Sequence, residues 1–172
     1  MKKKLVLVVA LAAVMVVGTA DKLFASPVHP DGWGVGALWG GSVDGGLTSN
    51  VALSLKAPNL PVFWGIRLGL GGGTTWVGLQ GDVYIMGGEI VPTLGWFLGL
   101  GLYGNFFLGD DFALGFGARV PIGLTWQPIQ IFELFLNLAP QIGGYMYTHG
   151  DGGFEFPHGG FFGFEIGLRL WF

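Results

Sequence analysis

The chain has 172 residues, of which 51% are hydrophobic and only 11% charged, with 34 glycines and no cysteine. Ordinary soluble domains carry roughly 25% charged residues, so a conventional hydrated exterior is excluded, and the lack of cysteine excludes disulfides, thiol catalysis and a lipid anchor on an N-terminal cysteine. Eight basic residues against eleven acidic ones give a formal net charge of −3, which excludes nucleic acid as a partner because phosphate binding needs clustered Lys and Arg.

In chain order, Lys2, Lys3 and Lys4 precede the apolar run Leu5 to Val17, and Gly18-Thr19-Ala20 supplies small residues. This is the pattern of a secretory signal peptide, expected over residues 1–20, with residue 25 as the alternative end. The run is short for a spanning helix. Removing the three leading lysines leaves a balance of 5 − 11 = −6. Residues 21–31 read as a short periplasmic lead-in, and residues 32–172 as one domain.

From there a two-residue period recurs through eight segments: 32–41, 49–57, 62–71, 75–86, 93–107, 112–127, 129–143 and 161–172. Successive side chains of a strand face opposite ways, so each segment predicts a strand with one apolar face and one small or charged face. The clearest is 112–127, where Phe112, Leu114, Phe116, Ala118, Val120, Ile122, Leu124 and Trp126 share one parity and Gly115, Gly117, Arg119 and Gly123 fall on the other. SVDGG, PNLP, GGGT, the stretch around Glu89, GDD and the Gln127-Pro128 corner read as turns. The fold class expected is all-β, an eight-stranded antiparallel up-and-down transmembrane barrel, since spanning strands need only ~9–11 residues.

The period alone does not say which face is inside. A glycine-rich face with one or two charges per strand is a poor aqueous exterior, and eight strands enclose too little space for full rows of Leu, Phe and Trp. Lys56, Arg67, Asp82, Arg119, Glu133, Glu165 and Arg169 all lie on the glycine face. Arg or Lys facing hydrocarbon costs ~2–4 kcal/mol at mid-depth, whereas opposite charges in a narrow lumen neutralise one another. These seven residues are therefore expected to line a charged, plugged lumen. Sequence does not assign their pairs; Arg119 with Glu133 is one combination to test. Outward Trp33, Trp64, Trp96, Trp126, Phe132 and Phe172 then gather at the periplasmic ends, and Trp39, Phe106, Phe112 and Phe162 at the external ends, forming two aromatic girdles. The longest loop, 145–160, falls outside.

Other motifs have simpler readings. Gly99-Leu100-Gly101-Leu102-Tyr103-Gly104 spells G-x-G-x-x-G, but a dinucleotide site needs a strand–turn–helix context and this stretch alternates as a strand. His149, Asp151, Glu155 and His158 in the last external loop have metal-ligand chemistry, yet also suit a glycine-rich polar loop, so no metal is assigned. The three histidines lie in the lead-in and this loop. No Ser/His/Asp grouping follows, and neither an enzyme nor a cofactor is expected.

Residues 46–56 (GLTSNVALSLK), 79–84 (LQGDVY), 118–124 (ARVPIGL), 132–140 and 167–172 (GLRLWF) resemble the small outer-membrane barrels of spirochaetes that are similar to the transmembrane domain of OmpA-type proteins. Gly167 and Leu170 before the terminal Phe172 resemble a bacterial barrel-insertion signal. The resemblance implies a multi-pass protein of the cell outer membrane, surface-exposed, with a charged interior. Expected partners are outer-membrane lipid, the barrel-assembly machinery and a host or extracellular ligand at the external loops, the barrel itself being a monomer. The expected role is structural or surface interaction; the alternative is a narrow pore for ions or small apolar solutes.

Overall fold

A computed structural model describes residues 30–43, 47–71, 74–108, 113–147 and 153–172. The expected signal peptide and nearly all of the lead-in lie outside the described residues. Nine strands follow: β1 (Gly34–Val43), β2 (Leu47–Lys56), β3 (Val62–Gly71), β4 (Thr74–Val91), β5 (Leu94–Leu108), β6 (Ala113–Arg119), β7 (Ile122–Ile129), β8 (Phe132–Tyr147) and β9 (Gly153–Trp171). All pairings are antiparallel, β6 and β7 both lie between β5 and β8, and β1 pairs with β9 from Gly34↔Trp171 to Val43↔Phe162. The sheet is a closed ring.

Nine strands make eight staves. Gly101 pairs with Arg119 and Leu98 with Ile122, three residues back on one strand and three onward on the other. The register thus passes through Val120 and Pro121 with nothing inserted. The break between β6 and β7 comes from two prolines that cannot donate. Gly99 donates to the Pro121 carbonyl at 2.8 Å and Val120 to the Pro140 carbonyl at 2.9 Å, but neither proline returns a bond. One stave therefore loses a ladder bond on each flank, at adjacent residues.

Tracing partners around the ring from Gly34 gives Lys56, Phe63, Asp82, Gly101, Arg119, Gln141 and Phe161. Phe162, one residue from Phe161, pairs with Val43 at the end of β1, so the circuit closes one residue beyond that pair, a stagger of 43 + 1 − 34 = 10 residues. Over eight staves, at ~3.3 Å per residue and ~4.8 Å between strands, this tilts the staves by roughly 40°.

The two faces differ as the period predicts. Along β2, Val51 and Leu53 are 51% and 45% exposed while Ala52 between them is 8% exposed. Ile66, Leu79, Leu100, Leu124, Leu136 and Leu168 continue the exposed apolar wall. Trp33, just before β1, and Phe172, just after β9, meet at one end of the barrel, where they exchange backbone bonds of 3.2 and 2.9 Å. We call this the terminal end and the opposite one the hairpin end. Two of the three turns at the terminal end use proline followed by a positive φ, with Asn59 at 60° after Pro58 and Thr93 at 76° after Pro92, the backbone of a type II turn.

Three expected boundaries are corrected. The stretch around Glu89 is strand rather than turn: β4 runs to Val91, with register shifts between Tyr84 and Met86 and between Glu89 and Val91. The Gln127-Pro128 corner is an irregularity within β7, and the chain reverses at Gln130-Ile131 instead. The 145–160 loop is mostly a β8–β9 ladder, with Tyr145 opposite Glu155 and Tyr147 opposite Gly153. Glycine and proline there read as loop signals, but register shifts around Gly143 absorb them.

At the seam between the first and last strands, a Cβ on Gly36 would run into the Leu168 carbonyl and approach the Arg169 Cα to 2.8 Å. Gly36→Ala is expected to lower barrel stability by ~1–3 kcal/mol, read as a lower urea midpoint in micelles. Ala37→Val, one residue along and facing outward, is expected to leave that midpoint unchanged.

Candidate functional site in the barrel interior

The interior is built in layers because residues of like parity on neighbouring staves meet at one level. At the terminal end the layer is aromatic and cationic. Phe63, Tyr84 and Phe97 stack with successive centroids 4.2 Å apart, and Trp171 meets Phe63 edge-on at 6.5 Å. The Arg169 guanidinium lies 4.7 Å from the Phe63 ring and 4.0 Å from that of Phe135, a cation between two π faces. Its Nε donates to Ser54 Oγ at 2.8 Å and its Nη1 to Glu133 Oε1 at 3.1 Å. Glu133 also accepts from Thr125 Oγ1 at 2.8 Å and from Trp171 Nε1 at 2.9 Å. Lys56 sits toward the rim, with Nζ donating to the Ala57 carbonyl at 2.8 Å and lying 5.7 Å from the Phe63 ring centroid.

The next layer is an ion network centred on Glu165. Its Oε1 accepts from Arg119 Nη1 at 2.6 Å and from Arg67 Nη2 at 2.8 Å, and its Oε2 from Asn137 Nδ2 at 2.9 Å. Arg67 Nε reaches Asn50 Oδ1 at 3.2 Å, Arg119 Nη1 also bonds Gln80, and Arg119 Nε lies 3.3 Å from Asp82 Oδ1. All four charged residues are buried. The three arginines balance Asp82, Glu133 and Glu165, 3 − 3 = 0, which leaves Lys56 as the excess charge. Desolvation of a buried charge is offset only by close pairing and hydrogen bonds. The offset is incomplete at Arg119: its Nη2, like Asn137 Oδ1, has no hydrogen-bond partner among the described residues. Glycine makes room for this layer, since a Cβ on Gly101 would occupy the position of the Asp82 carboxylate.

All seven residues expected to line the lumen point inward. Lys56, Glu133 and Arg169 belong to the first layer, and Arg67, Asp82, Arg119 and Glu165 to the second. Arg119 and Glu133 are not partners: Arg119 pairs with Glu165 and Asp82, and Glu133 with Arg169. Of the external-loop candidates, His149 and Asp151 lie outside the described residues. Glu155 and His158 fall within β9 rather than a loop, Glu155 Oε2 accepting from Tyr147 Oη at 3.2 Å. Among the described residues no group of three acidic or histidine side chains has metal-binding geometry. Gly99 and Gly101 sit within β5, and among the described residues no helix follows them. Gly167 faces inward beneath the Phe135 ring, while Leu170 and Phe172 face outward.

Sequence reasoning missed the neutral polar partners Asn50, Ser54, Gln80, Thr125 and Asn137, and the inner aromatics Phe63, Tyr84, Phe97, Phe135 and Trp171. The signal was present, because each shares parity with a charge or glycine of its own strand. The attention given to charges hid it.

No protein-family model matches the chain, and no curated protein matches it. Among solved structures, Neisserial surface protein A (NspA) aligns at 12% identity and a TM-score of 0.48, covering 81% of this chain and 96% of that one. A major outer membrane protein from Thermus thermophilus aligns at 14% identity and a TM-score of 0.43, covering 81% and 99%.

A double-mutant cycle tests the ion layer. Arg119→Met with Glu165→Gln is expected to show a coupling of roughly 1–3 kcal/mol in unfolding free energy, and Arg119→Met with Glu133→Gln one within ~0.5 kcal/mol of zero. Equal couplings in the two cycles would contradict the pairing.

Proposed function

We propose that the protein is a small monomeric outer-membrane barrel whose interior is sealed and whose hairpin end is its contact surface, with a structural or surface-interaction role. The observation that carries this reading is the division of the wall. An exposed belt of Leu, Ile, Val, Phe and Trp encloses seven charged side chains, the inverse of a soluble protein. Ring closure supports residence in lipid, because hydrocarbon tolerates no unpaired sheet edge. Residues 1–20 serve export as a cleaved signal peptide, and Gly167, Leu170 and Phe172 form the signal presented to the barrel-assembly machinery. The finer kinship is with the spirochaetal OmpA-type barrels that the sequence resembles. Neither an enzymatic activity nor a cofactor belongs to this reading.

The sealed interior is supported by exposure and contact together. Phe97, Glu133 and Ala139 have 0% exposure, and Arg119 and Glu165 1%. An ion crossing this level would have to displace the Arg67–Glu165–Arg119 bonds and then part the Arg169 sandwich. Protein refolded into planar bilayers is expected to give no stable conductance steps. Reproducible steps that change in size with Arg119→Met would overturn the sealed reading and favour the narrow pore.

A further inference from the structure

Inward-facing side chains change character along the barrel axis. From the terminal end to the level of Arg119 they are predominantly buried, whereas toward the hairpin end Trp76, Tyr103, Asn105, Phe107 and Tyr145 are half-exposed. Exposure of an inward side chain in a closed ring reports free space inside the wall. Among the described residues, the hairpin end therefore forms a cup whose floor is the Arg67–Arg119–Glu165 layer.

The cup has two unlike sides. Trp76 and Phe107 are direct cross-strand partners with ring centroids 6.3 Å apart, and Phe107 lies 5.6 Å from Tyr145. They form an aromatic arc running from β4 through β5 to β8. The Trp76 indole covers the place of a Gly69 Cβ, and the Tyr145 ring comes within 2.9 Å of that of Gly115, so these rings lie along the wall instead of across the opening. On the other side, β1 and β2 present Ser42 and Thr48, whose hydroxyls are 2.8 Å apart. On β5, the middle strand of the arc and one inward position deeper than Phe107, stands Asn105, half-buried, its Oδ1 beside the place of a Gly78 Cβ and without a hydrogen-bond partner among the described residues.

We propose that this cup binds a neutral sugar ring. An aromatic face takes the apolar C–H face of a pyranose, and amide and hydroxyl groups take its equatorial hydroxyls. The unsatisfied Asn105 oxygen gains a bond by turning to a sugar hydroxyl, which removes the penalty of leaving it unmade. The floor favours no charged ligand, since Arg67 and Arg119 are balanced by Asp82 and Glu165, 2 − 2 = 0. This proposal rests on the outer-membrane reading only in placing the cup on the outer face.

The test uses 15N-indole spectra of the full mature chain refolded in a phosphocholine detergent, because sugar-headgroup detergents would compete. Glucose, N-acetylglucosamine and, as control, glycerol are titrated. At least one sugar is expected to shift the Trp76 indole resonance, identified by its loss in Trp76→Phe, with a midpoint of about 1–10 mM. The Trp171 indole, buried at the terminal end, is expected to stay still, glycerol to have no saturable effect, and Asn105→Ala to weaken binding about fivefold or more. No saturable Trp76 shift with either sugar, an equal shift with glycerol, or full retention in a folded Asn105→Ala protein would overturn the proposal. Should Asn105→Ala not refold, the contrast between the Trp76 and Trp171 signals in the unmodified protein decides. Conductance recordings test the sealed interior whichever way the titration falls.

Discussion

The structure depends on the pairing of its first strand with its last. The ladder from Gly34↔Trp171 to Val43↔Phe162 leaves the sheet without an edge, and in hydrocarbon an edge is the one thing a sheet cannot keep. The same strand completes the interior. Arg169 reaches Ser54 on β2 and Glu133 on β8, while Glu165 reaches Arg67 on β3, Arg119 on β6 and Asn137 on β8. Closing the wall and neutralising the core are thus one event, and β9 carries both.

The interior explains the composition. Side chains as large as Arg119, Phe97 and Trp171 fit inside a narrow ring because each lies against a glycine, Gly101, Gly123 and Gly34 respectively, where a Cβ would crowd it. Glycine is therefore the complement of the large inner residues, and its abundance does not signal flexibility. The interior charges require both signs for a related reason. In a medium of low dielectric constant each unpaired charge costs several kcal/mol, and removing one partner of a buried pair costs ~3–5 kcal/mol. A balanced set with neutral amides and hydroxyls around it, as at Glu133 with Thr125, Trp171 and Arg169, meets that requirement.

Much of this was legible in the sequence because period two survives through the middle of every stave, away from the register shifts in β4, β7 and the β8–β9 ladder. Parity alone placed all seven lumen charges on one face and Val51, Leu53, Leu168 and Leu170 on the other. What stayed hidden was whatever parity does not encode. Partner choice depends on the stagger of ten residues around the ring, which brings Arg119 to Glu165 and leaves Glu133 to Arg169. Strand ends were obscured where bulges let glycine and proline sit inside a ladder, as in β9 beyond Phe161 and around Gln127-Pro128. The β6–β7 break follows from Pro121 and Pro140 lying on adjacent staves, a relation visible only once the register is known.

The claim on which all of this rests is that apolar side chains meet lipid while the opposite parity packs the centre. A cysteine-free chain allows it to be measured directly, by nitroxide labels at Val51, Ala52 and Leu53 of the refolded protein in liposomes. Collision with molecular oxygen, which concentrates in lipid, is predicted to be high at 51 and 53 and low at 52, with little collision with a water-soluble nickel complex at the two outer positions. Strong nickel collision at 51 and 53, with oxygen favouring 52, would mean that the barrel is turned inside out.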